Sequence, residues 1–214
     1  MSAEVKAPGV VPGKHVPVAL SFDPKKLPGL SERLLKSHWE NNYGSAVKNL
    51  NKVEEELARV TRDTPGYLVA GLRERELTFT NSITHHELYF GNLGGDGKPA
   101  GDVARAIGEA FGGMARFEEL LHATGMSLSG GSGWVVLALS FQTGQLNLYG
   151  SGHHTQAPAS RQPLLMLDMY EHAYTLDYGA AAEKYLDAFV KNVRWEEIDR
   201  RYQRAKKAAE ALKA

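Results

Sequence analysis

Between residues 43 and 60 the apolar side chains fall at 43, 46, 47, 50, 53, 57 and 60. Steps of three and four are the spacing of one buried helix face. The helix this predicts runs from Ser31 to about residue 61, with Ser31, after Pro28-Gly29, as its N-cap. A second helix is expected over residues 66–92, although Thr78, Thr80 and Thr84 lower its propensity. The stretch Gly94-Gly95-Asp96-Gly97-Lys98-Pro99 then breaks the chain and is the natural domain boundary. Beyond it Val103, Ile107, Phe111, Met114, Phe117 and Leu121 line one face of a predicted third helix, capped by Asp102. After Gly130-Gly131-Ser132-Gly133 the pattern changes. Residues 134–141 form an apolar run of strand length, Thr143-Gly144 punctuates it, and a second strand begins at Gln145. The run PLLMLDMY, residues 163–170, reads as a third strand, apolar enough to be the central one. From about residue 178 to 213 the pattern is helical again and ends in a charged tail. The fold class expected is α+β. A helical hairpin domain with an N-terminal extension occupies residues 1–95, and a domain with a small three-stranded antiparallel sheet surrounded by helices occupies 96–214.

Composition narrows the chemistry. With 214 residues, 43% hydrophobic and 23% charged, the chain has ample apolar surface for a core. Lys plus Arg equals Asp plus Glu, 25 against 25, so no net field recruits nucleic acid or an anionic membrane. No cysteine is present, which removes disulfides, thiolate metal sites and cysteine nucleophiles together. Any metal site must use imidazole and carboxylate, a donor set that suits iron, manganese or zinc. The first twenty residues carry Pro8, Pro12 and Pro17 and no continuous apolar stretch, and no later run reaches membrane-spanning length. A cytoplasmic protein is expected.

Three of the eight histidine contexts stand out. Asp168 and His172 follow the apolar strand in the run LDMYEHAY, and a carboxylate leaving such a strand needs a cation or donors to offset its desolvation. The same two residues read equally as a helix-capping Asp followed by a solvent-facing His. His86 shares an otherwise apolar helix face with Ile83 and Phe90, where an unpaired imidazole is costly. His38 lies early on the first helix, with Asn42 and Ala46 following at four-residue steps on its face. No short metal-binding pattern links the four.

Longer strings carry more. SERLLKSH and AVKNLN around His38, HHELYF and GNLGG around His86, GSGW at 131–134, LLMLDMYEHAY around Asp168 and His172, and VKNVRW followed by EEIDRRY occur in this order. On these strings the chain resembles the iron/manganese superoxide dismutase family from Leu20 to Tyr202. The resemblance implies one iron or manganese ion per subunit, held by His38, His86, Asp168 and His172 with a solvent molecule as fifth ligand. It implies that this ion alternates between trivalent and divalent states while superoxide is converted to dioxygen and hydrogen peroxide. A side chain that bonds the bound solvent tunes the potential. Of the two positions where the family places it, one is Ser82, too short to reach, and the other is His154, beside His153. Trp134 is expected as a wall of the cavity. Glu171 is expected to cross a two-fold axis to the partner's ligand histidine, giving a homodimer, with a tetramer as the alternative.

The same resemblance marks departures. Ala46 stands where the family has a gating tyrosine, Asn42 where it has a histidine linked to that gate, Thr175 where the partner-facing tyrosine belongs, and Tyr170 where a tryptophan is usual. The first three belong to one hydrogen-bond relay, and their joint loss widens the funnel. Dismutation is therefore weighed against a same-fold mononuclear metal oxidoreductase with another substrate, and against a metal-binding module without catalysis.

Overall fold

The structure, a computed structural model, describes residues 13–212; Pro8, Pro12 and Lys213 lie outside them. The first helical stretch is continuous but not uniform. It comprises α1 (Glu32–Ser37), a π-helical segment (His38–Tyr43) and α2 (Gly44–Leu57). Ser31 caps it as expected, its hydroxyl accepting from the Leu34 N–H at 3.0 Å. It ends at Leu57, short of the expected residue 61, and the π-helical segment was not foreshadowed by the spacing. Such single-turn insertions gather at functional sites, and His38 opens this one. The partner helix of the hairpin, α3 (Gly66–Gly91), matches its expected bounds to one residue.

The predicted third helix is two helices, α4 (Gly101–Phe111) and α5 (Met114–Met126). Gly112 and Gly113 separate them with φ of 83° and 120°, values that a helix cannot accommodate. The apolar stripe continues across the break because both helices pack on the same core, so periodicity alone did not show it. Asp102 is not the N-cap, which is Ala100. The free Val103 N–H is instead met by Asp199 Oδ1 at 2.9 Å, from a helix that follows much later.

The antiparallel sheet comprises β1 (Trp134–Ser140), β2 (Leu146–Ser151) and β3 (Arg161–Asp168), in the order β2-β1-β3. The expectation that the third strand is central is wrong: β1 is central and β3 is an edge. β3 is as apolar as a central strand because α3 and the C-terminal helix cover it. Its edge is closed by side chains, with Asn92 Nδ2 donating to Met166 C=O at 2.6 Å and Arg201 Nη1 to Leu164 C=O at 2.9 Å. A bulge at Leu164, between the pairs Leu137–Leu165 and Ala138–Pro163, puts Asp168 opposite Trp134 at the strand's end. A 3₁₀ turn (Glu171–Ala173), α6 (Thr175–Tyr178), α7 (Ala182–Lys191) and α8 (Trp195–Ala211) complete the chain, so the last helical stretch is broken into pieces.

The 94–99 stretch does not hang free. Gly95 N–H bonds Asn192 C=O and Gly97 N–H bonds Val193 C=O, each at 3.1 Å, while Leu93 bridges to Val193. One core runs through both halves, with Trp134, Tyr43, Tyr89, Tyr174, Tyr185, Phe117 and Phe189 as its largest fully buried members. No helix among the described residues is long and apolar enough to cross a membrane.

Candidate metal centre

His38, His86, Asp168 and His172, from four separate elements, meet in space. One ligand atom from each lies within 4.8 Å of all the others. Asp168 Oδ2 is the focus: His38 Nε2 is 3.1 Å away, His172 Nε2 3.2 Å and His86 Nε2 3.7 Å. His38, His86 and Asp168 are buried, and His172 is half-buried.

Local structure explains each orientation. Asp168 leaves β3 with its main-chain carbonyl accepting from Tyr185 O–H at 2.8 Å. Its Oδ1 accepts from the Tyr170 N–H at 2.8 Å, which stiffens the entry to the 3₁₀ turn. Its Oδ2 remains for the imidazoles. One oxygen thus holds the backbone that enters the turn and the other faces the imidazoles; the turn's N-cap is Tyr170, so Asp168 is not the helix cap that the sequence also allowed. His86 Nδ1–H donates to the Ser82 C=O one turn back at 2.7 Å, which leaves the Nε2 lone pair aimed into the cluster. That Nε2 and both ring nitrogens of His38 are buried without hydrogen-bond partners. His38 Nε2 is near Asp168 but not aligned to donate to it.

The electrostatics follow from burial. Burial holds His86 down to about 3, with His38 adding to the shift, and it also lowers His38. Burial opposes ionisation of Asp168, yet His172 and His38 keep its carboxyl well below the usual carboxylate range. His38 and His86, kept neutral by burial and with unpartnered nitrogens, face an ionised carboxylate, an arrangement that could hold a cation. Three nitrogens and one oxygen without sulfur fit iron or manganese.

Around the cluster the other sequence-derived residues take definite places. Trp134 stands beside His86 with ring centres 5.2 Å apart, and its indole N–H donates to His154 Nδ1 at 3.0 Å. Tyr170 stacks between His154 and His172, at 4.9 Å and 5.4 Å, and burial raises its phenol above the ordinary value. Asn81 Nδ2 donates to the His154 carbonyl at 2.8 Å and holds that loop on α3. Asn42, Ala46 and Ser82 line a cleft of about 300 Å³ that reaches His86, His154 and His172. Glu171 and Thr175 are both exposed and neither lines the cleft.

Two residues escaped the sequence reading. His85 is buried 5.2 Å from Trp134 and 6.2 Å from His154, with its Nδ1 unpartnered, and burial lowers it to about 4. The His85-His86 pair was the available signal. Tyr43, counted only as an apolar helix position, accepts from the Val18 N–H at 2.7 Å and donates to Glu87 Oε1 at 2.8 Å. Its ring lies 6.1 Å from that of His86. Nothing local in the sequence signals that bridge.

Residues 99–201 match the family model for iron/manganese superoxide dismutases, C-terminal domain. The superoxide dismutase [Fe] of Cupriavidus metallidurans is 44% identical over 184 residues, covering 86% of this chain and 93% of that protein. The superoxide dismutase [Fe] of Aquifex pyrophilus is 34% identical over 199 residues, 89% of this chain and 92% of its own. The superoxide dismutase [Mn] of Mycobacterium intracellulare is 32% identical over 195 residues, with coverages of 86% and 90%.

Proposed function

The chain belongs to the iron/manganese superoxide dismutase family, and on that premise we propose that it disproportionates superoxide at one iron or manganese ion held by His38, His86, Asp168 and His172. The observation that carries this reading is the convergence of buried, unpartnered imidazole nitrogens on one carboxylate oxygen, from elements spread between residues 38 and 172. A bound ion of either metal supplies the one-electron steps that take one superoxide to dioxygen and the next to hydrogen peroxide.

The chain's own residues do the positioning. Asp168 presents a single oxygen because Tyr170 N–H occupies the other. The Ser82 carbonyl fixes the tautomer of His86. His154 accepts from Trp134 on Nδ1, so its neutral ring carries a proton on Nε2 beside the cleft, where it serves as donor to whatever occupies the cleft's inner end. The peroxide product needs two protons, and with Ala46 and Asn42 lining the cleft, those protons come through His154 and water rather than a phenol. Glu171 is the residue through which we assign a two-fold dimer, because it is exposed while the neighbouring His172 reaches the cluster.

Elemental analysis and a dismutation assay on iron- or manganese-loaded protein test this. Close to one ion per chain and superoxide consumption above the free-metal rate are expected. Replacing His86 and Asp168 together with alanine should abolish both. Stoichiometric loading that survives the double substitution, or full loading without dismutation, overturns the reading.

A further inference from the structure

The approach to the metal cluster is larger than a two-atom substrate requires. In the single chain, without a partner subunit, the cleft over His86 and His172 holds about 300 Å³, the lower end of the range for small-molecule sites, about 300–1,000 Å³. Ala46 forms part of its wall and is buried, so the space exists because a methyl group stands there. The lining is polar but carries no formal charge apart from any on the histidines: the amides of Asn42 and Asn49 and the hydroxyls of Ser45 and Ser82 offer both donors and acceptors. Phe79 and His154 present aromatic rings on its sides. At its inner end His86 Nε2 is buried and unpartnered.

We propose that this cleft admits a flat, single-ring oxygen-donor ligand of the catechol class to the metal, in addition to superoxide. The proposal rests on the metal-centre reading above. Three imidazoles and one carboxylate leave a bound iron or manganese ion net positive, and phenolate oxygens are donors matched to such an ion. Ring substituents meet the Asn and Ser side chains, and the ring lies among the aromatic walls. A wall of charged residues would have selected a small inorganic anion by field alone; a neutral hydrogen-bonding wall beside aromatic faces recognises shape and polarity.

The experiment titrates catechol into iron-loaded protein and follows the visible charge-transfer absorption of an iron–phenolate bond. A saturable band is expected, with iron still on the protein after desalting. Ala46→Tyr refills the cleft and should weaken the apparent Kd about tenfold or more, the usual scale for forcing a ring into packed space. Ser45→Phe narrows the same mouth and serves where Ala46→Tyr does not fold. Azide, a small anion, is the control for the metal itself. An azide response with no catechol band overturns the cleft proposal and leaves the metal centre standing. So does a band unmoved by both substitutions, or one that appears only as iron leaves the protein. Absence of retained iron and of any azide response overturns both readings.

Discussion

Trp134 donates its indole N–H to His154 Nδ1 at 3.0 Å, and this one bond decides where His154 keeps its proton. Burial lowers His154 to about 4, so near neutral pH the ring is uncharged and carries one proton. With Nδ1 engaged as acceptor, that proton sits on Nε2. Trp134→Phe removes the donor and should leave both tautomers populated. Long-range proton–nitrogen correlation spectra of the metal-free protein read this directly. Dismutation in the loaded variant should fall by about 10- to 100-fold, the usual scale for losing a partner that orients a metal-site group. A single Nε2–H tautomer persisting in the variant would show that another contact sets it.

Glu171 and His172 are neighbours with opposite fates, one exposed and one reaching the cluster. If Glu171 orients the partner's histidine, Glu171→Ala removes two bridges from each two-fold interface and loosens a metal ligand on each side. Analytical ultracentrifugation should show a shift toward monomer, with less metal retained after dialysis against chelator. An unchanged dimer with full metal content would make Glu171 a surface residue.

Burial of His85 and His86 should make the metal-free fold sensitive to acid. His85 and His86 sit at about 4 and 3 in the folded chain because burial disfavours their charged forms, against an ordinary value of 6.5. The unfolded chain therefore takes up protons first as pH falls. Their stabilisation is complete above about pH 6.5 and is lost progressively as pH drops through the folded values near 4 and 3. For His85 alone the loss amounts to at most about 3 kcal/mol. Urea melts of the metal-free protein from about pH 7.5 to about pH 4 should show a midpoint that declines below about pH 6.5, and His85→Asn should flatten the decline. A midpoint that stays level down to about pH 4.5 would mean that these rings are protonated in the fold.

Much of this was legible because the physics was local. The α1–α3 hairpin and β1 follow from spacing and run length, and the four cluster residues lay within strings whose resemblance to one family was specific. What was not legible depended on distant partners. The reading that made β3 central failed because an edge strand buried by helices looks the same in sequence as an inner one. The α4–α5 break was hidden because two helices on one core keep a single stripe. Asp102 looked like a cap, yet Asp199, nearly a hundred residues later, supplies the acceptor. Tyr43 and His85 showed the same limit, since a buried hydroxyl or imidazole is recognised by what surrounds it.

Arg201 is the clearest instance of such a distant constraint, and it yields the last prediction. Its Nη1 donates to Asn92 Oδ1 at 2.7 Å, Leu164 C=O at 2.9 Å and Leu88 C=O at 3.2 Å, while Nε bonds Glu197 Oε1 at 2.9 Å. It thereby ties α3, which carries His86, to the bulge of β3, which ends at Asp168. A Cβ at Gly91, the last residue of α3, would fall well inside contact distance of Arg201 Nη2. Gly→Ala in an open helix is stabilising by about 0.5–1 kcal/mol. Here it must displace a guanidinium held by four acceptors, so Gly91→Ala should instead destabilise by about 1–3 kcal/mol. Arg201→Met vacates that space, at its own cost of unpaired carbonyls. The two effects should then be coupled, with Gly91→Ala nearly neutral in the Arg201→Met background and a coupling energy of about 1–3 kcal/mol. Urea melts of the four proteins measure it. Additive losses would show that α3 yields at Gly91 rather than pressing on Arg201, and that the guanidinium is not the rigid brace its bonds describe.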